Sequence, residues 1–167
     1  MPSEPDFEPE EILRTLDKHQ VRYILVGGMA AVVYGSDEVT TDIDVTPELT
    51  AENLGRLSAA LRELNARLWT QQEPEGLAFD HDAASLAGVE ILNLITDYGR
   101  LDITSKPAGT HGFEDLRRDA VRYRIFNIDV LVASLADVVR SKEAAGRSKD
   151  LRTLPTLRRL LEEGPTE

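Results

Sequence analysis

Residues 42–45, Asp-Ile-Asp-Val, constrain the fold of this chain more than any other stretch. Charged and apolar residues alternate and the run ends at Thr46-Pro47, the pattern of a strand whose successive side chains point to opposite faces. Asp42 and Asp44 therefore share one face, and Ile43 and Val45 share the other. An apolar sheet face has to be covered, and a layer of helix can cover it. Residues 51–68 supply one: Thr50 is placed to cap it, and Leu54, Leu57, Leu61, Leu64 and Leu68 form a stripe at helical spacing. Trp69 closes that helix as a core or rim anchor.

The remaining elements follow from similar patterns. Ile12, Leu13 and Leu16 recur at helical spacing over residues 10–19, and residues 23–26 then form a continuous apolar run that stops at Gly27-Gly28, a buried strand entering a turn. Residues 29–34 read as a short helix halted by Gly35-Ser36. Residues 71–88 are turn-rich, with room for a short strand at Leu77-Ala78-Phe79 and an exposed loop at Asp80-His81-Asp82. Residues 89–95 and 101–104 read as strands joined through Tyr98-Gly99-Arg100, and residues 121–132 as two more around Phe126-Asn127. Two helices broken near Gly146 occupy residues 135–146 and 149–161. One domain is expected: a flexible lead-in at residues 1–9, an α/β core at residues 10–132 built on a small mixed sheet flanked by helices, and a C-terminal helical segment at residues 133–161.

Two carboxylates fixed on one face repel each other unless a cation joins them, and two-metal phosphoryl-transfer sites use such pairs to hold divalent ions against phosphate oxygens. By spacing alone, Asp42 and Asp44 also suit a solvated strand end. The sequence before them adds Gly27-Gly28, where a backbone without side chains can approach a triphosphate and a helix N-terminus can point at it. Asp102, between Leu101 and Ile103 on another expected strand, adds a third carboxylate. Lys142, Arg147 and Lys149 place positive charge near a junction of two helices, where phosphates need neutralising, and Asp150 can hold one of these cations in place.

Composition narrows the ligands and partners. None of the 167 residues is cysteine, so a metal falls to oxygen ligands or to the three histidines, and oxygen ligands favour magnesium, manganese or calcium. The formal net charge of −11 is concentrated in the first two thirds of the chain and disfavours broad nucleic-acid binding, which needs a basic face. The apolar runs are too short to span a bilayer and residues 1–11 do not read as a signal segment, so a cytoplasmic protein with no membrane partner is expected.

On these residues the chain resembles the nucleotidyltransferase superfamily, with Gly27-Gly28 after the first strand, Asp42-Ile43-Asp44 on the next, and Asp102 later. More closely, Val26-Gly27-Gly28-Met29-Ala30, Gly35, Thr40, Asp42-Ile43-Asp44, Val132-Ala133-Ser134-Leu135 and Lys142-Glu143-Ala144-Ala145-Gly146-Arg147-Ser148-Lys149-Asp150-Leu151 look like AbiEii-type abortive-infection toxins, a likeness spanning residues 20–160. The resemblance implies a metal-dependent enzyme of nucleotidyltransferase fold that moves a nucleoside monophosphate from a nucleoside triphosphate (NTP) to an acceptor hydroxyl. It implies that Asp42, Asp44 and Asp102 are catalytic ligands of magnesium or manganese. It assigns Gly27, Gly28, Lys142, Arg147, Lys149 and Asp150 to the nucleotide and its phosphates. It further implies the toxin of a toxin–antitoxin pair, with an antitoxin protein as partner and tRNA as acceptor. A small-molecule or protein acceptor, or a non-catalytic nucleotide- or protein-binding member of the fold, fits the same residues. Two positions depart from the pattern: Glu38 stands where relatives carry arginine, and Thr153 where they carry an acid.

Overall fold

The alternation at residues 42–45 becomes the central strand of a seven-stranded mixed sheet in a computed structural model, which describes residues 4–164. In chain order the elements are α1 (Pro9–Lys18), β1 (Tyr23–Val26), α2 (Gly27–Val33), β2 (Asp42–Pro47), α3 (Ala51–Glu63), β3 (Arg67–Leu68), α4 (Ala83–Ala87), β4 (Ile91–Thr96), β5 (Gly99–Thr104), α5 (Phe113–Arg117), β6 (Val121–Ile125), β7 (Ile128–Val132), α6 (Leu135–Ala145) and α7 (Ser148–Glu163). The strands lie in the order β3-β4-β5-β2-β1-β7-β6. β2 is antiparallel to β1 and parallel to β5.

Ile43 and Val45 of β2 and Leu101 and Ile103 of β5 are buried in one core with Leu54, Leu57 and Leu61 of α3 and Ile12, Leu13 and Leu16 of α1. Each such side chain contributes about 1.5–3 kcal/mol by leaving water. Thr50 caps α3 by accepting from Asn53 N–H at 3.2 Å, as its position before the stripe implied. Asn53 itself is fully buried and joins the ends of two strands: it accepts from Arg22 N–H at 2.7 Å and donates to the carbonyls of Arg22 and Glu48, both at 2.8 Å.

The leucine-striped helix ends at Glu63 rather than at residue 68. Asn65 takes a left-handed φ of 53° and Ala66 N–H returns to Leu61 O at 2.9 Å, which closes the helix. Leu68 continues the spacing of the stripe but belongs to β3, opposite Leu94. Trp69 is therefore no anchor of the helix; its N–H donates to Asn93 O at 2.9 Å along the sheet edge. The turn-rich stretch holds an isolated bridge at Leu77 and the short α4, which Asp82 caps by accepting from Ser85 N–H at 2.8 Å. The expected strand break at Phe126-Asn127 is a tight hairpin, with φ of 52° and 64°.

Residues 4–8 run beside the β4–β5 hairpin: Glu8 N–H donates to Tyr98 O at 2.8 Å, and the Glu4 carboxylate accepts from Trp69 Nε1 at 2.8 Å. Residues 1–3 of the expected lead-in lie outside the described residues. Among the described residues, no helix is long and apolar enough to cross a membrane.

Candidate active site

The register of the sheet places the acids. β2 and β5 pair Asp42 with Arg100 and Asp44 with Asp102, while β1 sets Val26, the residue before Gly27, beside Asp44. Opposed residues share a face, so Asp42, Asp44 and Asp102 converge with carboxylate oxygens all within 4.8 Å of one another. Burial, reinforced by the like charges of Asp42 and Asp102, pushes Asp44 up to about 8. Burial also pushes Asp102 up to about 6, against the pull of Arg100. Arg100 donates to Asp102 Oδ1 at 2.6 Å and lies over the Trp69 ring, 3.8 Å from its centroid. One cation among three gathered carboxylates leaves excess negative charge, and that donor set fits a hard divalent cation bound through oxygen.

The glycine turn lies directly against the triad. Gly27 has φ +71°, and a Cβ there would overlap the Asp44 carboxylate; a Cβ at Gly28 would meet Thr40 Cγ2 at 2.9 Å. Side chains are excluded at both positions for want of space. No side chain caps α2, whose first N–H groups start at this turn.

Across the cleft, α6 and α7 meet at Gly146, whose φ of 62° turns the chain. Asp150 is 1% exposed and accepts from Arg147 Nε at 2.7 Å and from Arg147 N–H at 3.2 Å. Burial opposes its ionisation, yet Arg147 holds its carboxyl below the usual range. Lys142, 8% exposed, lies 3.6 Å from Asp150 and 3.4 Å from Glu38. Lys149 is exposed, and its charge favours ionised Asp44. Gly27, Gly28, the three aspartates, Lys142, Arg147, Lys149 and Asp150 all line one cleft of about 870 Å³.

Solved structures share this arrangement of elements. The chain superimposes on a lincosamide antibiotic adenylyltransferase bound to lincomycin with a TM-score of 0.61 and 15% identity, over 93% of this chain and 99% of that one. It superimposes on ANT(2″)-Ia in complex with adenylyl-2″-tobramycin with a TM-score of 0.59 and 16% identity, over 92% and 87% of the two chains. A Thermotoga maritima protein described as a nucleotidyltransferase gives 0.52 and 16%, over 95% and 97%. The fold is the nucleotidyltransferase fold. No family model matches the sequence, and no curated protein matches it either.

Within this nucleotidyltransferase fold, sequence reasoning missed two contacts of the cleft. Arg100 precedes Asp102 by two residues, so the alternation that aligned Asp42 with Asp44 also aligned Arg100 with Asp102 and was there to be read. The pairing of Glu38 with Lys142 joins segments far apart in the chain and left no local signal.

Proposed function

We propose that this chain is a divalent-metal-dependent nucleotidyltransferase that moves a nucleoside monophosphate from an NTP to a hydroxyl of a small-molecule acceptor. The observation that carries this reading is the convergence of Asp42, Asp44 and Asp102 within 4.8 Å, against a glycine turn with no room for side chains. The three aspartates would hold magnesium or manganese, which when bound neutralises phosphate oxygens and makes the acceptor hydroxyl easier to ionise. Gly27 and Gly28 let the backbone approach the triphosphate. Arg147 and Lys149 neutralise the departing pyrophosphate, while Asp150 fixes Arg147. Asp102 takes the proton of the acceptor hydroxyl, whose oxygen attacks the α-phosphorus as the α–β bond breaks.

The acceptor class follows from charge. Besides the three aspartates proposed to hold metal, four acidic and four basic side chains line the cleft, a balance that leaves no basic excess for the many phosphates of an RNA acceptor and suits a neutral or cationic small molecule. The named ligands of two fold neighbours, lincomycin and adenylyl-2″-tobramycin, are small molecules of this kind, although each belongs to its own protein. The second reading is a toxin with an antitoxin partner and tRNA as acceptor, supported by the likeness of residues 142–151 to AbiEii-type toxins.

The test is label transfer from each NTP, with magnesium, to hydroxyl-bearing small molecules or to total tRNA. Transfer to a small molecule, lost by about 10³-fold or more in Asp42→Ala and Asp44→Ala, is the expected result. Label on tRNA selects the toxin reading. Full activity in Asp42→Ala removes the proposed metal site.

A further inference from the structure

Glu38 takes no part in the transfer chemistry above, yet its carboxylate lies inside the cleft. Oε1 is 3.4 Å from Lys142 Nζ and accepts from Ser36 Oγ at 3.1 Å, while Ser36 Oγ accepts from Glu38 N–H at 3.2 Å. The other oxygen faces the glycine turn, where a Cβ added to Gly28 would meet Glu38 Oε2 at 3.3 Å. The Lys142 and Glu38 side chains are only 9% and 16% exposed, so the pair is largely out of water. Asp150 is a poor substitute partner for Lys142, because Arg147 already binds both of its oxygens, at 2.7 and 3.3 Å. The anion held against Gly28 and Lys142 is thus one of the protein's own side chains, carried on the irregular segment between α2 and β2.

We propose that Glu38 is a place-holder for phosphate: its carboxylate occupies Lys142 until the triphosphate of the incoming nucleotide takes the ammonium and displaces it. The proposal rests on the nucleotide site described under Proposed function. A carboxylate and a phosphate cannot share the narrow space at Gly28, since both are anions and the surroundings screen them poorly. A triphosphate brings more charge to Lys142 than Glu38 does and wins the exchange. An anion of lower charge, such as inorganic phosphate, competes less well, so the place-holder also selects for triphosphates. The cost of displacement appears as weakened affinity, in proportion to the scarcity of molecules whose Glu38 has already moved aside.

Calorimetric titration with magnesium tests this, using inorganic triphosphate and each of the four ribonucleoside triphosphates. The proteins are the wild type, Glu38→Gln, Glu38→Ala, Lys142→Met and the Glu38→Gln/Lys142→Met double variant, each checked for folding by thermal melting. The two Glu38 variants bind about tenfold tighter than wild type. Lys142→Met binds more weakly, and adding Glu38→Gln to it changes affinity by less than about threefold, because Glu38, no longer held by the ammonium, leaves the space at Gly28 at little cost. Equal or weaker binding by folded Glu38 variants, with wild type still binding, overturns the place-holder and leaves the nucleotide site standing. Absence of binding in every protein overturns both.

Discussion

Ionising Asp44 costs the folded chain stability, because burial and the neighbouring carboxylates raise its pKa from 3.8 to about 8. Between those values the folded chain keeps a proton that the unfolded chain has released. Stability of the metal-free protein therefore falls as pH rises from about 4 to about 8, and this contribution levels off above that. Asp44→Asn removes the ionisation: in EDTA at pH 8 it is more stable than wild type by about 1–3 kcal/mol, and the gap closes towards pH 4. Magnesium, which needs the ionised carboxylate, raises the wild-type Tm more at pH 8 than at pH 6 and leaves Asp44→Asn nearly unmoved. Thermal melts across that pH range, with EDTA or magnesium, check both statements. The pairing of Asp42 with Asp44 was legible because side-chain alternation is local. The partnership of Lys142 with Glu38 was not, because it needs the segment before β2 to approach α6 in space.

At the scale of elements, strands were read better than the ends of helices. β2 and β5 each alternate buried and half-buried residues around their aspartates, and that period of two stands in the sequence. The end of α3 was hidden because Leu68 extends the leucine stripe at a helical interval although it lies in a strand; Asn65, in the left-handed region, is the residue that marks the stop. α4 and α5 have five residues each, too few for periodicity to show, although the Asp82–Ser85 capping box of α4 was visible in principle. What ties α3 to the sheet is Asn53. Asn53→Ala strands the amide of Arg22 and the carbonyl of Glu48, while the Arg22 carbonyl keeps Glu48 N–H at 3.1 Å, and costs about 2–4 kcal/mol. Denaturant titration measures that loss, while the KM for nucleotide stays within about twofold because Asn53 does not line the cleft.

For the whole molecule, charge governs behaviour. A net charge of −11 makes the folded chain repel itself, an effect that salt screens over a Debye length of about 8 Å at physiological ionic strength. Raising sodium chloride from about 10 to 200 mM therefore raises the Tm of the metal-free protein, and with a cationic acceptor it raises that acceptor's KM as well. Melting curves and initial rates over the same salt series read the two effects separately. The Asp44–Asp102 pairing also bears on how the sheet assembles. β2 and β5 are connected through α3, β3, α4 and β4, so their contact closes a long loop. Apolar residues recur every second position, so a slip of two keeps Leu101 on the core face while setting Asp44 in place of Asp42 opposite Arg100 and parting Asp44 from Asp102, where the native alignment gathers three acids. The repulsion among the three acids alone favours the slipped partner, and a divalent ion held by the triad would reverse that preference. On the proposed metal site, magnesium present during refolding is expected to act as a proofreader of strand alignment, coupling completion of the sheet to filling of the site.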